Sequence, residues 1–212
     1  GGSIMDPKSK QIKFYSAEAV KSLTFWKELI DEKLMTRVGL WKAAINGFIL
    51  QKFPVIFYSS GGMGVAQKEN GLNWNADMMP KDKKYGCAYG GGNLYLGKTL
   101  NIEDRDYVIN FIKSLYRPEI QAEISDLSGY LPVTKKSFKV TKIKEKYTKI
   151  EAYKNVIRQV PFAHMKMMGA QNLLVRKTLK DAIDRTLDKG VSANESLKLA
   201  QKELDELEKK SH

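Results

Sequence analysis

The chain has 212 residues, 42% hydrophobic and 28% charged, with a formal net charge of +12. That mix suits a globular fold and excludes whole-chain disorder or a collagen-like repeat, and no run of about 18 apolar residues provides a bilayer-spanning helix. One cysteine, Cys87, excludes internal disulfides and a cysteine-built zinc site. In chain order, Gly1 to Lys10 is polar and turn-rich, and Gln11 to Tyr15 alternates as an edge strand would. Ser16 is placed to cap a helix carrying Val20, Leu23, Trp26, Ile30 and Leu34 at three- and four-residue spacing, with Glu18 near the positive end of its dipole. Trp41, Ala44, Ile45, Phe48 and Ile49 mark a second helix, stopped before Pro54. Val55 to Tyr58 reads as a buried strand running into the loop Ser59-Ser60-Gly61-Gly62, and residues 71–80 read as another strand, ended by Pro80.

Cys87 to Leu96 is expected to be extended around Gly90-Gly91-Gly92. A helix follows from Ile102 to Leu115, with Val108, Phe111, Ile112 and Leu115 on one face, and Pro118 starts another that runs through Leu127. Ser128-Gly129-Tyr130-Leu131-Pro132 is a stop and turn. Further helices are predicted over Ile143 to Ile157, Asn172 to Leu187 and Ala193 to Glu208. The last opens on the capping box Ser192-Ala193-Asn194-Glu195 and has Leu197, Ala200, Leu204 and Leu207 as its buried seam. The pattern is helix-rich α/β with short strands.

The residues that carry chemistry are few. Of the 36 basic residues only Arg37, Arg105, Arg117, Arg158, Arg176 and Arg185 are arginine. Nucleic-acid readers favour that side chain for its planar fork. The densest lysine stretch, Lys135 to Lys154, is interleaved with Glu145 and Glu151 and reads as a solvated helical face, with a basic nucleic-acid-binding module as the alternative. Gly92 to Thr99 satisfies G-x-x-x-x-G-K-[ST], the phosphate loop of nucleotide-binding proteins. A poor strand before it, and Leu100-Asn101 between Thr99 and the next helix, argue that the match is chance. His164 beside Met165, Met167 and Met168 reads as a partly buried histidine in a core-filling stretch. No G-x-S-x-G elbow surrounds Ser59 or Ser60, and no nucleophile, base and oxyanion donor assemble, so no enzyme is expected.

Several stretches taken together resemble one family. They are Ser16 to Trp26, Phe48 to Ser60, Met78-Met79-Pro80, Gly90-Gly91-Gly92-Asn93-Leu94-Tyr95 and Phe111-Ile112-Lys113-Ser114-Leu115. Pro118-Glu119-Ile120-Gln121 and the most specific run, Ser128-Gly129-Tyr130-Leu131-Pro132-Val133-Thr134, complete the set. The order and content resemble the extracellular solute-binding proteins, family 1, of ABC importers, in the sugar and sn-glycerol-3-phosphate subgroup. The resemblance implies a periplasmic-binding-protein-like (type II) fold and a chain that covers the C-terminal half of a two-lobed protein. Residues 1–89 would then be a C-terminal-lobe segment, 90–127 a crossover that packs on the N-terminal lobe, and 128–212 the return with the terminal helices. It implies no cofactor, a periplasmic or extracellular location with membrane association of the intact protein, and a carbohydrate or glycerophosphate-like solute. Importer membrane subunits and the missing lobe would be the partners, with a homodimer or segment swap where the uncovered Ile102–Leu115 helix finds none. The ligand candidates carried over are Ser59 and Ser60 in the cleft loop, Gly90 and Gly91 in the hinge, the stacking Tyr130, and Lys166 where the glycerophosphate binder has an arginine.

Overall fold

The computed structural model describes residues 2–6, 9, 11–99, 101–165 and 172–209. Its elements are α1 (Ala17–Asp31), α2 (Trp41–Ile49), α3 (Gly61–Ala66), β1 (Cys87–Tyr89), α4 (Ile102–Leu115) and α5 (Pro118–Ser128), then α6 (Thr141–Lys149), α7 (Glu151–Gln159), β2 (Ala163–Met165), α8 (Asn172–Leu187) and α9 (Ala193–Lys209). Short 3-10 turns cover Lys135–Lys139 and Val160–Phe162. Strands β1 and β2 pair as a two-stranded sheet. The chain divides into two compact units, one of residues 1–37, 82–84 and 165–212, the other of residues 38–81 and 85–164.

The first unit is built on α1, α8 and α9. Ser16 caps α1 as its position predicts, its hydroxyl accepting the Ala19 N–H at 3.1 Å. Leu23, Val175, Ala182, Leu187, Leu197, Ala200 and Leu204 close a core around Phe14, which is fully buried. The seam predicted for α9 is therefore the packed one. Ser192 Oγ accepts the Glu195 N–H at 3.2 Å, half of the predicted capping box. The α1 stripe is covered less than its spacing suggests, with Trp26 46% and Leu34 71% exposed. Residues 11–15 do not form a strand. A lone bridge joins Met5 and Ile12, and the Gln201 side chain on α9 takes the Phe14 N–H at 2.7 Å, the place a neighbouring strand would fill.

The second unit packs α3, α5, α6 and α7 around Met63, Ala122, Ile143, Tyr147, Ala152 and Tyr153. The helix predicted over 143–157 is broken at Ile150, which is extended (φ −94°, ψ 121°). On an unbroken helix, residues six apart point about 120° away from each other. The break lets both Tyr147 and Tyr153 turn inward, with ring centroids 5.3 Å apart in an edge-to-face contact. The two strands predicted at 55–58 and 71–80 are not formed, and the first, expected to be buried, leaves Val55 73% and Phe57 55% exposed. Burial still alternates in the second, where Leu72, Trp74, Ala76 and Met78 are half-buried and Asn73, Asn75, Asp77 and Met79 are exposed. Side chains of α7 serve part of its backbone: Asn155 donates to the Ala76 carbonyl at 3.1 Å and Gln159 accepts the Met79 N–H at 2.8 Å. On α2 the buried positions are Ile45 and Gly47, whereas Trp41 is 67% exposed, so the predicted face is rotated away from it.

Candidate functional site

The candidate site lies in the second unit, where the loop before α3 meets the turn after α5. Pro118 starts α5 without needing an N–H, and Gly129 ends it in the left-handed region at φ +75°. The turn is then fixed by serine hydroxyls. Ser125 Oγ, buried, donates to the Tyr130 carbonyl at 2.6 Å, and Ser128 Oγ accepts the Tyr130 N–H at 3.2 Å. This leaves the Tyr130 side chain 54% exposed beside the start of α3.

Glycines bring the two segments into contact. A β-carbon on Gly64 would fall 2.3 Å from the carbonyl carbon and oxygen of Ser128, and one on Gly129 would fall 2.3 Å from the Gly64 nitrogen and 2.8 Å from the Ser60 carbonyl oxygen. Backbone therefore touches backbone, and neither position accepts a side chain. A β-carbon on Gly61 would meet the Tyr130 ring at 2.8 Å, so the ring lies over that glycine. Ser59 is exposed and Ser60 half-buried at the head of α3, and their carbonyls accept the Gly62 and Met63 N–H groups at 2.8 and 3.0 Å. The Tyr130 ring thus stands at Gly61, directly after Ser59 and Ser60 in the chain.

Other expected residues stand elsewhere. Gly90 and Gly91 are exposed in irregular backbone after β1, and a side chain at Gly91 would meet nothing within 4 Å. No hydrogen bond among the described residues joins them to Ser59, Ser60 or Tyr130. Lys166 and its methionine neighbours Met167 and Met168 lie outside the described residues. His164, expected to be partly buried, is exposed on β2, because the two-residue alternation of a strand turns it outward. The Gly92 to Thr99 run is exposed and α4 begins only at Ile102, so no helix N-terminus stands at Lys98-Thr99 as a phosphate loop requires.

One neighbour escaped the sequence reading. Trp41, at the first turn of α2, meets Tyr58 edge-to-face with ring centroids 4.9 Å apart, and Tyr58 in turn lies over Gly62. The spacing of Trp41 placed it in a buried stripe, and only its position at a helix start hinted otherwise. Half of the eight lysines in the basic stretch are ion-paired: Lys142 and Lys146 reach Asp126 at 2.6 and 2.7 Å, Lys149 reaches Glu145 and Lys154 reaches Glu151. The hydrogen bonds from Lys142 and Lys146 hold the Asp126 carboxyl below its ordinary range. Among the described residues no group of histidine, cysteine and acidic side chains is arranged to hold a metal ion.

Comparison with known proteins adds the rest. Residues 3–153 match the family model described as bacterial extracellular solute-binding protein. The sn-glycerol-3-phosphate-binding periplasmic protein UgpB of Escherichia coli (strain K12) is 25% identical over 154 residues, covering 70% of this chain and 35% of that protein. Among solved structures, UgpB from Mycobacterium tuberculosis in complex with glycerophosphocholine superposes with a TM-score of 0.81 at 17% identity, covering 99% of this chain and 53% of that one. The maltose-bound MalE3 of T. maritima gives a TM-score of 0.80 at 20% identity, covering 98% and 54%. The chain thus spans about a third of the length of the curated relative and about half of the solved neighbours.

Proposed function

The chain belongs to the bacterial extracellular solute-binding protein family, with the fold of the type II periplasmic binding proteins, and from that premise we propose that it forms part of the solute-capturing receptor of an ABC importer. Its solute is a carbohydrate or a glycerophosphate-like molecule, the two kinds bound by the neighbours, and it acts without catalysis. The observation that carries this reading is the placement of the Tyr130 ring over Gly61, the residue that follows Ser59 and Ser60. Hydroxyls of that kind bond to a polyol's oxygens, and an exposed aromatic ring stacks on its C–H face. Trp41 and Tyr58 extend the aromatic surface beside the same loop.

Residues 90–127 are proposed to contact a partner lobe through α4, of which no described residue is buried. The receptor would deliver its solute to importer membrane subunits at the outer face of the cell membrane. Receptors of this build close two lobes on the ligand by a hinge motion. A single lobe offers one wall, so the chain's own affinity is expected to be weaker than micromolar. Titration calorimetry with maltose, sn-glycerol-3-phosphate and glycerophosphocholine tests this. Weak binding of at least one, lost in Tyr130→Ala, is expected. Micromolar binding by this chain contradicts the one-wall account, and weak binding that survives Tyr130→Ala contradicts the assigned site.

A further inference from the structure

Helix α3 is six residues long, too short to hold its own position, because helices under about 12 residues are marginal without tertiary contacts. Its middle is held by the Gly64–Gly129 backbone contact already described. Its C-terminal end is held by a polar cluster that the solute reading does not use. Gln67, which follows α3, donates through Nε2 to the Asp126 carbonyl oxygen at 2.7 Å. Its Oε1 accepts from Lys146 Nζ at 2.7 Å and from the Tyr153 hydroxyl at 2.8 Å. Lys146 also donates to Asp126 Oδ1 at 2.7 Å and lies 4.6 Å from the Tyr153 ring centroid, with its side chain only 11% exposed. Burial, with the nearby charge of Asp126, pushes the Tyr153 phenol up to about 12, so it stays a donor at neutral pH.

The placement of these groups gives the cluster its consequence. Asp126 is on the last turn of α5, four residues before Tyr130, and Gln67 closes the helix whose other end is Ser60. The geometry points to Gln67 and Lys146 as positioning residues that set the spacing between the Ser59-Ser60 loop and the Tyr130 ring. A buried ammonium with every partner in place is directional, and it holds a short helix in one register where apolar contacts would allow sliding. Neither residue touches the proposed solute surface, so their effect on it passes through α3 and α5.

The inference rests on the solute-site reading only for its ligand readout, so two readouts are needed. In the unliganded 212-residue chain, Gln67→Met and Lys146→Met are expected to move the NMR resonances of residues 59–62 and of Tyr130, while the core position Ala182 of the first unit stays put. Lys146→Arg, which keeps the charge and donors, is expected to restore much of the wild-type pattern. Affinity for maltose or sn-glycerol-3-phosphate is expected to fall roughly tenfold in the methionine variants as the loop and the ring lose their spacing. Lower thermal stability with unchanged resonances at 59–62 and Tyr130 overturns the inference, and so do moved resonances with unchanged affinity. If the wild-type chain binds neither of these probes nor glycerophosphocholine, the solute-site reading fails while the resonances still decide the positioning role. Should Lys146→Met not fold, Gln67→Met carries the test, since it leaves the Lys146–Asp126 pair intact.

Discussion

Two glycines decide where Tyr130 stands. At Gly64 the facing atoms are backbone, which cannot rotate away, so Gly64→Ala is expected to destabilise the chain by about 1–3 kcal/mol through overpacking. Gly91→Ala, where a side chain meets open space, is expected to change stability by less than about 0.5 kcal/mol. Urea unfolding of the two variants checks the contrast, and equal midpoints would contradict the close approach. Asp126 makes a second residue-scale prediction. Lys142 and Lys146 depress its folded pKa, so its stabilisation is full above the unfolded carboxyl value of about 4 and is lost as pH falls through the folded one. The stability gap between wild type and Asp126→Asn should therefore narrow as pH drops from 5 to 3, and a gap independent of pH contradicts the pairing. Tyr130 was legible because its flanking Ser128-Gly129 and Leu131-Pro132 form a distinctive turn. Gly61 and Gly64 were not, because a loop glycine reads alike whether it faces a ring, another backbone or water.

At the scale of elements, legibility followed the origin of the hydrogen bonds. Helices satisfy their own backbone, so α4, α5, α8 and α9 stand within a residue or two of their predicted bounds, while α1 stops at Asp31, short of the predicted stripe's last member Leu34. Strands need a neighbour. Residues 55–58 and 71–80 find no strand partner among the described residues; in the second, burial still alternates and α7 side chains stand where the ladder was expected. The break at Ile150 was hidden for a different reason, since the apolar residues on either side fit one helical pattern and only the packing of Tyr147 against Tyr153 separates them. Helix α4 makes the prediction at this scale. Tyr107 is 77% and Phe111 60% exposed, an apolar face of the kind that drives association. Light scattering is expected to show a mass above that of one chain, reduced by the double variant Tyr107→Glu/Phe111→Glu with little change in thermal stability. A strict wild-type monomer would count against a role for this face.

For the molecule as a whole, the +12 charge is an excess of lysine over acidic residues, and the ion pairs among the described residues engage only a minority of those lysines. Half of the lysines in the Lys135 to Lys154 stretch are engaged with Asp126, Glu145 and Glu151. Family membership rests on residues 3–153, and the TM-score near 0.8 extends the same fold over nearly the full chain. The central claim is that the loop at Ser59-Ser60 and the turn at Tyr130 form one solute-binding wall. An NMR titration of the chain with maltose and with sn-glycerol-3-phosphate tests it most directly. The account predicts shifts concentrated at residues 58–62 and 129–131 for at least one of the two, and saturating shifts confined to other parts of the chain would contradict it.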